Sequence, residues 1–271
     1  RRGRVMGALR RLLSGFWAAP LAAGALLWAS FPPLDLGWIQ PLGWALLLAS
    51  LRLRRGARAA PQGFVAGLVL FVPGLSWMAP LVAGGWIFSA AWCAGFEALF
   101  AWLLARLWLR ERRPWWIVGA AAVHLLTELL RAEALTGFPW LVPGYAGWSD
   151  PLLLEGSAVL GVHGVSLVFL LVGAGLADLL VRWLEGDAVR VQALVPGAAV
   201  WAVLVGWAVA APAPEERPGP VIALLQANVP QKLKEQILGE GATEADLRAW
   251  WADHLRNWWG SHEQLLEEMR S

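Results

Sequence analysis

The sequence predicts an all-α polytopic membrane domain of about seven transmembrane helices, followed by the start of a second, α/β domain. Three observations carry this expectation. Of the 271 residues, 58% are hydrophobic and only 15% charged, against about 45–50% and about 25% in an ordinary soluble domain. Arginines fall between long apolar runs rather than across one surface. The composition then changes abruptly at Ala211, where a proline-rich stretch begins. So apolar a chain is not disordered, and a single cysteine, Cys93, rules out a disulfide scaffold.

The segments can be taken in order. The first runs from Leu12 to Ser30, after a basic stretch. It has the outline of a signal peptide, but six further apolar segments favour an uncleaved helix. The second is short, Leu36 to Leu51. The third runs from Gln62 to Leu81 and the fourth from Trp86 to Leu109. The fifth covers Trp115 to Leu130, the sixth Ser157 to Val181 and the seventh Val191 to Pro212. A spanning helix needs about 20 residues, so the second and fifth are marginal. With the N-terminus inside, the inner segments collect Arg1, Arg2, Arg4, Arg10, Arg11, Arg52, Arg54, Arg55, Arg58, Arg106, Arg110, Arg112, Arg113, Arg182 and Arg190. The outer loops hold only Arg131. The positive-inside rule selects that orientation. Arginine bands separated by apolar runs form no continuous phosphate-tracking face, so nucleic-acid binding is excluded. Twenty Trp against one Tyr fits interfacial anchoring where the Trp sit near run ends.

These boundaries divide the chain into a transmembrane domain (1–212), a linker (213–220) and a second region (221–271). Val221 to Leu225 is a strand candidate. A helical stretch from Ala245 to Met269 follows, with Trp250, Trp251, His254, Leu255, Trp258 and Trp259 on one side. That face suits packing in an outer domain or contact with a membrane. Some fifty residues with one strand are too few for an independent domain. The chain therefore reads as a fragment cut inside an extracytoplasmic domain.

Few residues carry chemistry. Glu97 lies mid-segment, where a carboxylate is costly, so it faces protein or water or is protonated. It reads either as a substrate-path or proton-handling group or as a structural hydrogen bond. Glu128 and Arg131 share one helix face at i, i+3. They read either as a headgroup-binding pair, with Arg131 meeting phosphate, or as a bracing salt bridge. The loop from Leu135 to Tyr145 carries two Pro and two Gly, which prevent a regular helix. Its Phe138, Pro139, Trp140 and Tyr145 suit contact with lipid or with a docked outer domain, or a simple anchoring turn. Gly161-Val-His163-Gly-Val-Ser166 opens the sixth segment, placing His163 and Ser166 as polar contacts near the outer surface. The four histidines show no metal-ligand spacing. No nucleophile elbow, P-loop or dinucleotide fingerprint is present. No metal or cofactor is expected.

The order of these motifs resembles the bacterial apolipoprotein N-acyltransferases. Phe31-Pro-Pro-Leu-Asp-Leu-Gly-Trp38 is similar to the family's first outer turn. Glu128-Leu-Leu-Arg131 followed by Thr136-Gly-Phe-Pro-Trp140 resembles its most recognisable membrane signature. The 161–166 segment resembles the opening of its sixth helix, with His163 where the family usually has Tyr. Leu224-Leu-Gln226-Ala-Asn228-Val-Pro230-Gln231 resembles the first strand and loop of the family's carbon-nitrogen-hydrolase (nitrilase-like) domain.

The resemblance implies an enzyme that takes an acyl chain from a membrane phospholipid and passes it to the α-amino group of a diacylglyceryl-cysteine on an apolipoprotein. It implies a Glu-Lys-Cys triad in the outer domain, with Cys forming a thioester acyl-enzyme. It also implies a multi-pass protein of the bacterial cytoplasmic (inner) membrane, acting as a monomer without cofactor. The family's Trp-Pro-Glu motif does not occur in these residues, and no catalytic residue is assigned. The segment alone is expected to be inactive. A transporter or a non-catalytic membrane scaffold is the alternative reading.

Overall fold

The computed structural model describes residues 17–54, 58–107, 115–135 and 137–211, with single positions between 6 and 15 and between 245 and 252. The chain divides into two compact units, Arg1–Pro212 and Ala213–Ser271. Nearly all of the second unit lies outside the described residues, including the strand candidate Val221–Leu225, the residues Gln226, Asn228, Pro230 and Gln231, and the Trp-rich face.

Seven α-helices occur among the described residues: α1 (Ala18–Ala29), α2 (Gln40–Leu53), α3 (Ala59–Gly74), α4 (Ala83–Leu107), α5 (Trp115–Glu133), α6 (Pro151–Glu185) and α7 (Val195–Ala210). They fall on the seven apolar segments in order. Three stretches are long and apolar enough to cross a membrane: Gly84–Leu107, Pro151–Glu185 and Val191–Ala210. Ala18–Ala29 and Ala59–Gly74 are apolar but shorter. Helices are the expected form here, because backbone groups facing hydrocarbon must be satisfied within their own segment.

No β-strand occurs among the described residues. The expected fold class, a helical membrane domain followed by an α/β nitrilase-like start, is corrected to an all-helical bundle. The described residues are long apolar runs whose backbone groups are satisfied within their own helices, and the expected strand lies outside them.

Local chemistry explains where the helices begin and end. The third segment was expected to reach Leu81, but α3 ends at Gly74, one residue after Pro73, and a short turn at Ser76–Met78 follows. The sixth was expected to start at Ser157. Asp150 instead caps α6 six residues earlier, accepting from Leu152 N at 2.9 Å and Leu153 N at 3.2 Å, with Pro151 in the first turn. Gly186 ends α6 in the left-handed conformation. Between these caps, Gly161 (φ 65°, ψ −170°) breaks the helical path, so α6 is two helical pieces joined at a kink.

Helix α3 packs on α4, α6 on α7 and α2 on α6, while α5 sits between α4 and α6. Trp44, Phe71, Phe100 and Trp116 are the largest side chains enclosed at the centre. Phe88 and Val209, more than two-thirds exposed, lie on the outer surface, where lipid rather than water suits them. The α3–α4 contact depends on glycine. A Cβ on Gly63 would lie 2.3 Å from Glu97 O and 2.7 Å from Ala101 Cβ, and one on Gly67 would lie 2.8 Å from Ala94 Cα. Small residues of this kind allow helix backbones to approach closely. Gly63→Val is therefore expected to push α3 from α4 and cost on the order of 2–3 kcal/mol. Thermal unfolding in detergent checks this, and an unchanged midpoint would contradict it.

Candidate functional site

The site is a line of buried polar groups that crosses α4, α5 and α6 and ends under the Phe138–Trp148 loop. Glu128 lies at its centre, with its side chain fully enclosed. His124, one turn earlier on α5, is on the same face. Glu128 Oε1 meets His163 Nδ1 of α6 in a short contact and accepts from Ser166 Oγ at 3.4 Å. Glu128 Oε2 is 3.8 Å from His124 Nδ1, and His124 Nε2 is 3.4 Å from Glu97 Oε1 on α4. Neither His124 nitrogen has hydrogen-bond geometry, and Glu97 Oε2 and Glu128 Oε2 are also without a hydrogen bond. The ring edges of Trp44 and Phe100 hold the imidazole, with centroids 4.4 and 4.9 Å away. Two carboxylates and two imidazoles thus form one array. It runs from enclosed Glu97 to His163, whose side chain is 34% exposed.

Arg131 follows Glu128 by three residues but turns to other partners. Its Nη1 donates to Phe138 O and to Trp140 O, both at 2.7 Å. Phe138 N donates back to Arg131 O at 3.1 Å, which folds the loop onto the last turn of α5. The guanidinium lies 5.3 Å from the Phe71 ring centroid. Arg131 is itself 3% exposed. It is a loop clamp rather than the partner of Glu128.

The rest of the loop is held at two further points. Ser166 Oγ, which donates to Glu128, accepts from Gly144 N at 2.9 Å. Trp148 Nε1 donates to Asp35 Oδ1 at 2.7 Å. Gly37 of the Asp35 turn packs so closely that an added Cβ would meet Ala146 O. On this frame Trp140, Tyr145 and Trp148 are each about half exposed. Trp140 stacks loosely with Trp77, at 5.1 Å, and with Phe138, at 6.1 Å. Pro139 is exposed beside them.

The structure therefore brings Glu128 and His163 together, and Arg131 with Phe138 and Trp140. It places Tyr145 on the same loop but not in contact with the Glu128 array. Sequence reasoning missed the link from His124 to Glu97 and the role of Ser166 as a bridge. The i, i+4 spacing of His124 and Glu128 was the available signal. No group of three or more His, Cys, Asp or Glu among the described residues is arranged to hold a metal. Cys93 is buried.

Residues 23–175, which include every side chain of the array and its loop, match the family described as the apolipoprotein N-acyltransferase N-terminal domain. Among curated relatives named apolipoprotein N-acyltransferase, the protein of Photobacterium profundum is 33% identical over 227 residues, covering 78% of this chain and 42% of its own length. That of Nitrosomonas europaea is 34% identical over 236 residues, covering 80% and 45%. That of Ralstonia nicotianae is 35% identical over 246 residues, covering 82% and 45%. The chain spans less than half the length of these relatives. With more than half of its residues inside the matched family domain, the chain belongs to the apolipoprotein N-acyltransferase family.

Proposed function

We propose that this bundle is the membrane part of an enzyme that acylates the N-terminus of apolipoproteins. The acyl ester of a membrane phospholipid is broken, and an amide forms on the α-amino group of the acceptor's diacylglyceryl-cysteine. A lysophospholipid leaves, and the amine loses a proton. Both reactants are lipid-anchored, so a platform held at one leaflet raises their effective concentration for each other. In this reading the bundle sits in the bacterial cytoplasmic membrane as a monomer, with its N-terminus inside and the Phe138–Trp148 loop outside. The arginine distribution supports that orientation.

The observation that carries the proposal is the rigid aromatic loop. Arg131 pins the Phe138–Trp140 backbone, and Trp140 and Tyr145 are half exposed, as side chains that meet headgroups at an interface would be. Glu128 and His163 brace it through Ser166. The test is acyl transfer in proteoliposomes by the full-length protein that carries this bundle. Labelled phosphatidylethanolamine is the donor and a diacylglyceryl-cysteine peptide the acceptor. Transfer by the unsubstituted protein is expected. Trp140→Ala should lower kcat/KM about tenfold, a loss of ~1.4 kcal/mol of transition-state stabilisation. Because the ring is half exposed, its thermal midpoint should hardly move. Absence of transfer, or full activity in Trp140→Ala, would count against the reading.

A further inference from the structure

The far end of α6 carries a second built feature. A cavity of about 690 Å³ opens where α6 ends and α7 begins, walled by Arg182, Arg190, Gln192, Ala193, Val195 and Pro196. Asp178 also reaches it but is committed elsewhere. It is 3% exposed and accepts from Trp116 Nε1 at 2.9 Å and from Arg182 Nε at 2.6 Å. Arg52 Nη2 lies 3.9 Å from the same carboxylate, with its guanidinium 4.1 Å over the Trp116 ring. Asp178 is thus neutralised by its neighbours and acts as a fixed mount for Arg182. Arg190, which also lines the cavity, is exposed. Glu185 and Asp187 are exposed on the connecting turn and do not line the cavity. Apart from Gln192 the remaining walls are apolar, and Val195 on the wall and Val189 and Val191 beside it in sequence are exposed.

We propose that this cavity binds an anionic phospholipid of the inner leaflet, with its phosphate between Arg182 and Arg190 and its acyl chains along the valine rim. Three features favour a lipid over a soluble anion. The walls combine two guanidinium groups with an apolar floor, as a headgroup and its glycerol ester require. The volume exceeds what a phosphate alone would fill. The cavity also lies at one end of two membrane-length helices, where basic pockets meet anionic headgroups. The leaflet assignment rests on the orientation proposed above.

Native mass spectrometry of the purified chain with equimolar phosphatidylglycerol and phosphatidylcholine tests this. Preferential retention of phosphatidylglycerol is expected. Arg190→Gln should reduce that retention about fivefold, the amount expected for one arginine at an anionic surface. Arg190 is exposed, so this variant keeps the fold. Arg106→Gln, at a residue that does not line the cavity and lies over Trp102, should leave retention unchanged. Equal retention of both lipids, no effect of Arg190→Gln, or an equal effect of Arg106→Gln would overturn the site. Displacement of the lipid by millimolar inorganic phosphate would reassign it to a soluble anion. Sidedness is read separately, by labelling Val189→Cys with a membrane-impermeant maleimide. Labelling of inverted vesicles but not of intact spheroplasts is expected. The reverse pattern would overturn the leaflet and the proposed orientation, while the retention result would still report on the cavity itself.

Discussion

Arg131→Ala is expected to lower acyl transfer by the full-length protein about 100-fold while the helical bundle stays assembled. Nη1 makes two hydrogen bonds, to Phe138 O and Trp140 O at 2.7 Å each. A hydrogen bond to a charged group contributes about 1.5–3 kcal/mol, and two on one clamp place the loss near 3 kcal/mol. That energy holds a loop, not a helix pair. Its loss therefore frees the Phe138–Trp140 backbone more than it unfolds the core, which is built from Trp44, Phe71, Phe100 and Trp116. A misplaced loop costs rate through orientation, at about tenfold per 1.4 kcal/mol. Arg131→Lys keeps the charge but carries its donors on a shorter-reaching ammonium, so it should recover part of the activity. Kinetics in proteoliposomes and circular dichroism separate the two effects. Wild-type kcat/KM in Arg131→Ala would remove the clamp from the mechanism. A complete loss of helicity would make Arg131 a core residue instead.

The contrast between Glu128 and Arg131 shows what a sequence exposes and what it conceals. The helices were legible because apolar runs long enough for a bilayer are rare in soluble domains, and arginines mark their ends. The boundaries shifted where a single residue decided them, at Pro73 and at Asp150. The spacing of Glu128 and Arg131 correctly placed both on one helix face, but a shared face is not a shared bond. The partners of Arg131 are backbone carbonyls seven and nine residues later, and carbonyls leave no trace in residue identity. Glu97 had no basic residue at helical spacing. Its neighbour His124 lies on the next helix, and that pairing depends on how α4 packs on α5. His163 was visible as a polar residue in a glycine-rich opening, while the Gly161 kink that accompanies it required the backbone. Periodicity therefore reads which groups are buried, and tertiary packing decides what each of them meets.

Glu128→Ala should be the most damaging single change in the site for stability. The carboxylate is fully enclosed, and its Oε1 serves His163 Nδ1 and Ser166 Oγ together. Removing it leaves a cavity and takes a partner from enclosed Ser166 and from one-third-exposed His163. Buried groups that lose a partner cost about 1–3 kcal/mol each, so a total near 3–4 kcal/mol is expected. The damage reaches the loop as well, because Ser166 carries the Gly144 N–H at 2.9 Å. Activity should fall at least as far as in Arg131→Ala, but here together with the thermal midpoint. Glu128→Gln separates packing from charge. It keeps the volume and one acceptor oxygen, so it should recover most of the midpoint if the carboxylate acts chiefly as a hydrogen-bond acceptor. If it instead balances a protonated imidazole, Glu128→Gln should resemble Glu128→Ala. His163→Gln in the same background should then restore stability, because it removes the charge left unpaired. A double-mutant cycle across Glu128 and His163, followed by unfolding in detergent, measures that coupling directly. A coupling energy indistinguishable from zero would mean that the two side chains touch without depending on each other. The array would then be four separate buried groups rather than one unit supporting the loop.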